Sequence, residues 1–496
     1  MKKLGFDNQK YLSMQTEHIM QRVQKFGGKL YLEFGGKLFD DYHASRVLPG
    51  FKPDSKLQML LKLKEQAEIV IAINADAIES CKIRGDLGIT YDLDTLRLID
   101  ALREVGLYVG SVVLTQYREQ KLAKKFEKTL KKLGIKCYRH YPIANYPYDV
   151  EGIVSEAGLG KNEYIKTERS LVVVTAPGPG SGKMATCLSQ LYHDNKMGIK
   201  SGYAKFETFP IWNLPLHHMV NVAYEAATAD LNDVNVIDPY HLEAYGVRTV
   251  NYNRDVEIYP VLARMFNKIF GECYYKSPTD MGVNMVGNCI IDNEACEEAS
   301  RQEIIRRYLT AQSDKLKDKA TEETVKKISL LMEQNAITVA ERKCVTASRE
   351  KAFKTGEPAT AIELNDGRII TGKTSSLLGA TSAMLLNSLK ALAEIDDKVP
   401  LLSPSVIEPI QELKIKSLGN KNPRLHTDEI LIALCISAVT NPTAKLALDQ
   451  LPKLKGAQCH STVILSQVDI NVLKKLGIDY TSEPIYQTKK LYHGSK

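Results

Sequence analysis

Short apolar runs alternate with amphipathic segments through the first half of the chain. The runs are rich in β-branched residues and predict buried strands, while the segments between them repeat apolar residues at helical spacing. The predicted strands are 30–34, 67–74, 108–115, 135–139 and 171–175, and the predicted helices are 9–26, 57–64, 94–105 and 117–133. Strands and helices that alternate in this way predict a doubly wound, mostly parallel sheet. We therefore expect residues 1–290 to form an α/β region.

The pattern changes near residue 290. Charged residues, Ala and Ile dominate 294–354, which lacks proline, so we expect a helical middle region over 291–355 with two or three helices. Residues 356–496 are mixed again and predict a separate α/β C-terminal subdomain. Its predicted elements are a hairpin around Gly367, helices at 380–393 and 428–438, and a strand at 462–466. The chain is therefore expected to be a multi-domain α/β protein.

The most informative stretch joins the 171–175 strand to a helix through the loop APGPGSGK. Glycines let a backbone approach an anion closely, and the unpaired N–H groups at a helix start favour a phosphate. Lys183 adds a full positive charge at the mouth of this loop. We predict that the loop binds a phosphate or a nucleotide through five residues: Gly178, Gly180, Ser181, Gly182 and Lys183. The alternative is a tight strand–helix turn with a solvated lysine.

This loop departs from the P-loop pattern G-x-x-x-x-G-K-[ST] at two positions. Pro177 replaces the first glycine, and Met184 replaces the Ser or Thr whose hydroxyl binds Mg²⁺. The segment 367–374 (GRIITGKT) fits the pattern letter for letter, but it lies in a predicted β-hairpin. Its intervening residues would form a strand, so we do not expect it to bind phosphate. Structural context therefore favours the imperfect loop.

Other candidate residues follow the loop. The segment 203–218 contains the only tryptophan, a Lys/Glu pair and two adjacent histidines, and irregular aromatic segments on α/β scaffolds often line pockets. Candidate catalytic residues are therefore Lys183, Lys205, Glu207, His217 and His218; a packed crossover loop is the alternative for this segment. The run 234–238 ends in Asp238 and resembles a Walker-B strand, which makes this aspartate a candidate metal ligand.

Composition narrows the classes of function. The chain has 496 residues and a net charge of +7, but the positive charge is spread out, so we do not expect nucleic-acid binding. Its nine cysteines show no paired metal spacing, which is typical of reduced thiols in the cytoplasm. The sequence shows no apolar run long enough for a membrane span and no signal peptide at the N-terminus. We expect a cytoplasmic protein without membrane contact.

The whole chain resembles an uncharacterised bacterial family, domain of unknown function 1846. The resemblance rests on seven long segments in order, among them 29–51, 172–194, 201–218, 220–246 and 422–434. It implies an α/β N-terminal region, a helical middle and a distinct C-terminal subdomain. It also implies that GPGSGKM is the family's own form of the loop. The resemblance implies no reaction and no catalytic residue.

Three functions follow from these patterns. The first is a phosphotransferase or ligase that binds a phosphorylated metabolite or a nucleotide such as ATP, with or without Mg²⁺. The second is a metabolite sensor without turnover, and the third is an oligomeric scaffold in which the loop is only a turn. The helix faces of 294–354 favour a homo-oligomer under all three. The sequence does not say whether the protein is an enzyme.

Overall fold

The computed structural model describes residues 3–36, 38–84 and 87–487. Its internal contacts divide the chain into two compact units. The N-terminal unit comprises residues 4–225 and 233–297, and the C-terminal unit comprises 298–496 together with 1–3 and 226–232. The three-part division of the chain at residues 290 and 355 stays a prediction. In the ranges that the structure describes, no helix is long and apolar enough to cross a membrane.

The N-terminal unit is built on a seven-stranded parallel sheet, as the apolar pattern predicts. Up to residue 283 the strands are β1 (Leu30–Phe34), β2 (Ala67–Asn74), β3 (Ile83–Arg84), β4 (Ile89–Thr90), β5 (Val109–Thr115), β6 (Lys136–Arg139), β7 (Leu171–Thr175), β8 (Gly202–Phe206), β9 (Asn235–Ile237), β10 (Val250–Tyr252) and β11 (Gly282–Val283). The sheet has the order β11-β8-β1-β7-β2-β5-β6. The strands β3–β4 and β9–β10 form two separate antiparallel pairs.

Helices cover both faces of this sheet. Up to residue 281 they are α1 (Asn8–Lys25), α2 (Tyr42–Val47), α3 (Ser55–Lys62), α4 (Ala75–Glu79), α5 (Tyr91–Glu104), α6 (Lys121–Lys132), α7 (Val150–Ile153), α8 (Lys183–Lys196), α9 (Met219–Ala227), α10 (Pro239–Tyr245), α11 (Asn253–Phe270) and α12 (Pro278–Met281). The central strands are buried along almost their whole length, as expected for a sheet with helices on each side. Their side chains form one continuous core.

The connections between the strands reverse direction at one point in the sheet. The chain leaves β1 across β7 to reach β2, and it leaves β7 across β1 to reach β8. Because parallel crossovers are right-handed, connections that run in opposite directions lie on opposite faces. The helix packing agrees with this arrangement. Helix α3, which follows β1, packs with α1, whereas α8, which follows β7, packs with α11, as does α7. The carboxyl ends of β1 and β7 are therefore a topological switch point, where α/β proteins bind ligands.

The C-terminal unit is mixed α/β, as expected. From residue 293 the helices are α13 (Asn293–Leu316), α14 (Glu322–Gln334), α15 (Lys343–Thr355), α16 (Ala380–Leu392), α17 (Pro404–Glu412), α18 (Thr427–Ser437), α19 (Pro442–Leu448) and α20 (Gln467–Lys475). The strands are β12 (Ala359–Glu363), β13 (Ile369–Lys373), β14 (Gln458–Ser461) and β15 (Asp479–Ser482), in the order β13-β12-β14-β15. They cover a second apolar core.

One strand prediction was wrong. The predicted strand at 462–466 lies in the connection after β14, and the strand itself is Gln458–Ser461. Ile464 and Leu465 are buried without being part of a strand, and Ser466 caps α20. Burial of apolar residues is common to strands and packed loops, so the composition of this run did not distinguish them.

The hairpin predicted around Gly367 is confirmed, because β12 and β13 pair in antiparallel register. Gly367 has φ +86° in the turn. Gly372, the second glycine of the P-loop match, lies where a Cβ would be 2.1 Å from the backbone nitrogen of Met384. This glycine therefore allows β13 and α16 to pack closely, which explains a glycine at this position without any phosphate.

We predict that Gly372→Ala destabilises the C-terminal unit by about 1–3 kcal/mol, because the new methyl group would force the strand away from α16. Gly367→Ala is the matched control. Nothing lies within 4 Å of its Cβ position, so only the cost of positive φ remains, about 1 kcal/mol. Melting temperatures from scanning calorimetry check the order of the two variants. A smaller effect at Gly372 than at Gly367 would contradict this packing.

Candidate functional site

The glycine-rich loop lies at the switch point, between the end of β7 and the start of α8. Gly182 is the N-cap of α8 at φ +81°, a left-handed conformation that glycine adopts without strain. Glycine has no side chain to cap the helix, so the first N–H groups of α8 have no side-chain acceptor. Gly180 also has positive φ, and nothing lies within 4 Å of its Cβ position. The loop thus presents the open backbone of Gly180 and a helix N-terminus at the carboxyl edge of the sheet, whereas Gly178 and Gly182 lie against Tyr91 and Thr115.

Two neighbouring strand ends hold the loop in place. Thr115 at the end of β5 donates a hydrogen bond from Oγ1 to the carbonyl oxygen of Ser181 at 2.8 Å. Asn74 at the end of β2 donates from Nδ2 to the carbonyl oxygen of Gly180 at 3.3 Å. Within the loop, Ser181 Oγ donates to the carbonyl oxygen of Gly178 at 2.7 Å. Because these bonds use carbonyl groups, they orient the loop without engaging its N–H groups.

Lys183 lies at the mouth of the loop and is only 15% exposed. Its Nζ is 3.9 Å from Oε1 of Glu33, on the neighbouring strand β1. The other oxygen of Glu33 accepts a hydrogen bond from the Tyr203 hydroxyl at 2.8 Å, and burial, with the charge of Glu33, raises the pKa of Tyr203 well above its ordinary value. At 3.9 Å the lysine is only loosely paired, so its charge is able to engage an anion.

A second charged group lies next to the first. Lys205 on β8 is in register with Glu33 on β1, and its Nζ contacts Asp255 and lies 2.9 Å from Oε1 of Glu207. Burial alone would lower the pKa of Lys205, but the carboxylates of Asp255 and Glu207 raise it above the ordinary value. The lysine is therefore charged at neutral pH and joins two carboxylates beside the site of Lys183 and Glu33.

Glu207 has an unusual protonation equilibrium. Its side chain is 5% exposed, and Trp212 Nε1 donates a hydrogen bond to Oε2 at 3.2 Å. Burial raises the pKa of Glu207 to about 7, against the opposing effect of the Lys205 charge. A carboxyl group that changes charge near neutral pH is able to accept or donate a proton during a reaction. The predicted pair Lys205 and Glu207 is thus brought together, and Glu33 links Lys205 to Lys183 at the loop.

The two predicted histidines lie in a different environment. His217 is exposed, and its charge lowers the pKa of Glu225, although burial raises that pKa overall. His218 is buried and its Nε2 contacts Asn293 at 2.7 Å and Glu297 at 3.4 Å. These partners give His218 a structural role, and a catalytic role for either histidine stays a prediction.

Asp238 is also placed differently from the expectation. Its strand, β9, pairs with β10 outside the parallel sheet, whereas a Walker-B strand lies in the same sheet as the phosphate loop. Oδ1 accepts hydrogen bonds from the N–H groups of Tyr240 and His241, and Oδ2 accepts from Thr279. The Walker-B interpretation is therefore wrong in topology. Both oxygens of Asp238 are engaged in capping α10 and binding Thr279, and its role as a metal ligand stays a prediction.

Residues that sequence reasoning missed complete the site. Glu33 and Asp255 contact the predicted lysines, and Tyr203 contacts Glu33, but none of the three was among the candidates. Glu33 had a recognisable signal, since it is a charged residue inside the otherwise apolar strand 30–34. Within the described ranges, no group of three or more His, Cys, Asp or Glu side chains has the arrangement of a metal site.

An open cavity of about 330 Å³ lies elsewhere, in the C-terminal unit, beside His426, Lys414 and Lys421. His426 Nδ1 faces both Asp469 Oδ2 at 3.2 Å and Ser466 Oγ at 3.4 Å. A Ser-His-Asp triad needs the serine and the carboxylate on opposite ring nitrogens, so this is not such a triad. Lys414 is already paired with Glu429 at 2.7 Å. The chemistry therefore favours the loop over this cavity.

Comparison with known proteins gives a family but no reaction. The sequence matches the Domain of unknown function DUF1846, N-terminal, over residues 4–336, and its C-terminal counterpart over residues 340–492. It is 59% identical over 492 residues to a UPF0371 protein of Streptococcus sanguinis (strain SK36) and 58% identical to one of Streptococcus pyogenes serotype M28 (strain MGAS6180). Each comparison covers 99% of this chain and 100% of the relative. These names state no ligand and no activity.

We predict that Glu207 makes the stability of the protein depend on pH. The raised pKa means that the folded state holds the proton more tightly than the unfolded state, whose pKa is near 4.5. The stabilisation is therefore fully present below pH 4.5 and is lost as the pH rises to about 7. Glu207→Gln keeps the neutral shape, so it should match the wild type at pH 5 and be more stable at pH 8.

The expected difference at pH 8 is on the order of 3 kcal/mol at most, at about 1.4 kcal/mol for each unit of pKa shift. Scanning calorimetry of both proteins between pH 5 and 8 measures it. The exposed carboxyl variant Glu272→Gln is the control and should follow the wild type at every pH. Parallel pH curves for the wild type and Glu207→Gln would show that Glu207 is already ionised at pH 5.

Proposed function

The chain belongs to the DUF1846 family, and from this premise we propose that it binds a phosphorylated small molecule or a nucleotide at the loop of residues 178–183. The observation that carries the proposal is the coincidence of three features at one switch point. The features are a helix N-terminus without a side-chain cap, an open glycine backbone and a lysine that is only loosely paired. All three lie at the carboxyl ends of β1 and β7. Each feature favours an anion, and phosphate is the anion that combines them in α/β proteins.

The departures from the P-loop pattern have structural explanations that leave the anion site intact. Met184 packs against the core, so the position of the usual Mg²⁺-binding hydroxyl is used for packing. Pro177 is buried before the loop turns. Any Mg²⁺ would therefore arrive with the phosphates of a nucleotide, held by those phosphates and by water, as is usual for this ion.

The neighbouring group of Lys205, Glu207 and Asp255 favours an enzyme over a sensor. A ligand sensor needs only the loop, whereas a buried carboxyl with a pKa of about 7 beside a charged lysine is suited to proton transfer. We therefore propose a phosphotransferase or ligase. In it Lys183 stabilises charge on the transferred group, and Glu207 takes up the proton that the acceptor group loses. A non-catalytic metabolite-binding protein is the second candidate, because it needs the loop alone.

We predict that Lys183→Ala weakens the binding of phosphorylated ligands about 10- to 100-fold, because hydrogen bonds to charged groups contribute about 1.5–3 kcal/mol. Isothermal titration of the full chain with ATP, GTP and a panel of phosphorylated sugars, with and without Mg²⁺, measures the affinities. The matched control is Lys373→Ala, which removes the lysine of the perfect P-loop match in the hairpin. It should bind as the wild type does.

Two results would contradict this proposal. The first is saturable binding that Lys183→Ala leaves unchanged, and the second is a wild type that binds no member of the panel. Conversion of a bound ligand to a product, followed by phosphorus NMR in the same samples, separates the enzyme from the sensor. A sensor would bind with the same dependence on Lys183 and would release its ligand unchanged.

We predict the opposite effect for Glu33→Gln. The Glu33 carboxylate lies beside Lys183 and repels an incoming anion, while glutamine still accepts the hydrogen bond from Tyr203. In Mg²⁺-free buffer, phosphate-ligand affinity should rise about five-fold, the equivalent of about 1 kcal/mol of Coulomb energy. The control is Glu168→Gln, an exposed carboxyl that pairs with Lys136. Weaker binding by Glu33→Gln would mean that Glu33 binds the ligand directly, through a hydroxyl or a cation.

A further inference from the structure

Helix α18 in the C-terminal unit is apolar on both of its faces. Seven consecutive residues, 430–436 (ILIALCI), are uncharged and almost all strongly apolar. One face, with Ile430, Ala433 and Leu434, is buried in the core of the unit. A helix that is apolar all round is normally covered on every side. The opposite face of α18 is therefore expected to have a partner as well.

That opposite face is exposed. Ile432 is 61% exposed, Ile436 is 66% exposed, and Val439, just after the helix end, is 84% exposed. Cys435, between them, is also exposed. The spacing i, i+3 and i+4 puts Ile432, Cys435 and Ile436 on one stripe of the helix, and Val439 follows in the turn after it. We call residues 432, 435, 436 and 439 the outer stripe of α18.

The stripe is large enough to form the centre of an interface. Leu446 on α19, which packs against α18, is 56% exposed. Together with the stripe it leaves on the order of 500 Å² of apolar surface, the size of patch that marks interaction sites on single chains. Two such patches that bury each other fully remove about 1,000 Å² from water, which is the lower limit for a biological interface.

We propose that the outer stripe of α18 packs against the same stripe of a second copy of this chain, about a two-fold axis. A two-fold interface joins one patch to itself, so the patch must be self-complementary. An uncharged apolar stripe meets this condition, since neither copy buries a charge against the other. The stripes of the two copies have the same length, and the area that the pair buries reaches the lower limit for a dimer interface. This surface is different from the helix faces of 294–354 that the sequence suggested.

The position of Cys435 gives a direct test of the geometry. In a two-fold packing of α18 on α18, the middle of the stripe lies near the axis, so the two copies of Cys435 lie close together. A short bismaleimide added to the native, reduced protein should then produce a covalent dimer on a denaturing gel. Cys435→Ser should abolish this product. Cys81→Ser, which removes another exposed cysteine, should leave it unchanged.

Light scattering after size exclusion, from 1 to 100 µM protein, tests the same interface without a crosslinking reagent. The wild type should be a dimer, and Ile436→Glu should weaken dimerisation at least 100-fold, because it places two carboxylates in an apolar contact. Phe353→Glu is the control, since Phe353 is 91% exposed in α15 outside the stripe. The Phe353→Glu protein should remain a dimer. Circular dichroism confirms that each variant is folded.

Three results would overturn the proposal. They are a wild type that is monomeric at 100 µM, an oligomer that Ile436→Glu does not weaken, and a crosslink that depends on Cys81 instead of Cys435. Monomeric behaviour would point to a different protein as the partner of α18. None of these outcomes depends on ligand binding at residues 178–183, so the two proposals stand or fall separately.

Discussion

The right-handedness of parallel crossovers determines where this protein has room for a ligand. The connection after β1 and the connection after β7 run in opposite directions along one sheet, so they must lie on opposite faces. The two chain segments diverge at the carboxyl ends of these strands, which is where α/β folds form a crevice for a ligand. The glycine-rich loop, Lys183 and Glu33 all lie at this crevice because the strands that carry them end there.

Charge pairing across adjacent strands then gives the crevice its chemistry. Glu33 is in register with Lys205 and also lies beside Lys183, so one carboxylate borders both lysines. Asp255 and Glu207 balance Lys205, and burial makes Glu207 the group whose charge changes near neutral pH. An anion at the loop would compete with Glu33 for Lys183. Ligand binding at the loop would thereby change the field around Lys205 and Glu207.

Much of the fold was predictable because its strands are buried on both faces and read as continuous apolar runs. The loop and the pair Lys205–Glu207 were also found from local patterns. Glu33 and Asp255 were missed because their roles depend on strand register and on a helix more than 200 residues away in sequence from β1. The sheet position of the Asp238 strand was not predictable either, because an apolar run that ends in aspartate does not reveal which sheet its strand joins. The strand predicted at 462–466 failed because burial alone does not specify extended pairing.

The most direct test of the central claim is to locate an anion at atomic resolution. Crystals of the full chain soaked in tungstate, a heavy phosphate analogue, would show its position by anomalous scattering. Our account predicts a tungstate within hydrogen-bonding distance of the N–H groups at the start of α8 and of Lys183 Nζ. That site should be absent in crystals of Lys183→Ala. Ordered tungstate at the 367–374 hairpin or at other surface lysines, with none at the loop, would contradict it.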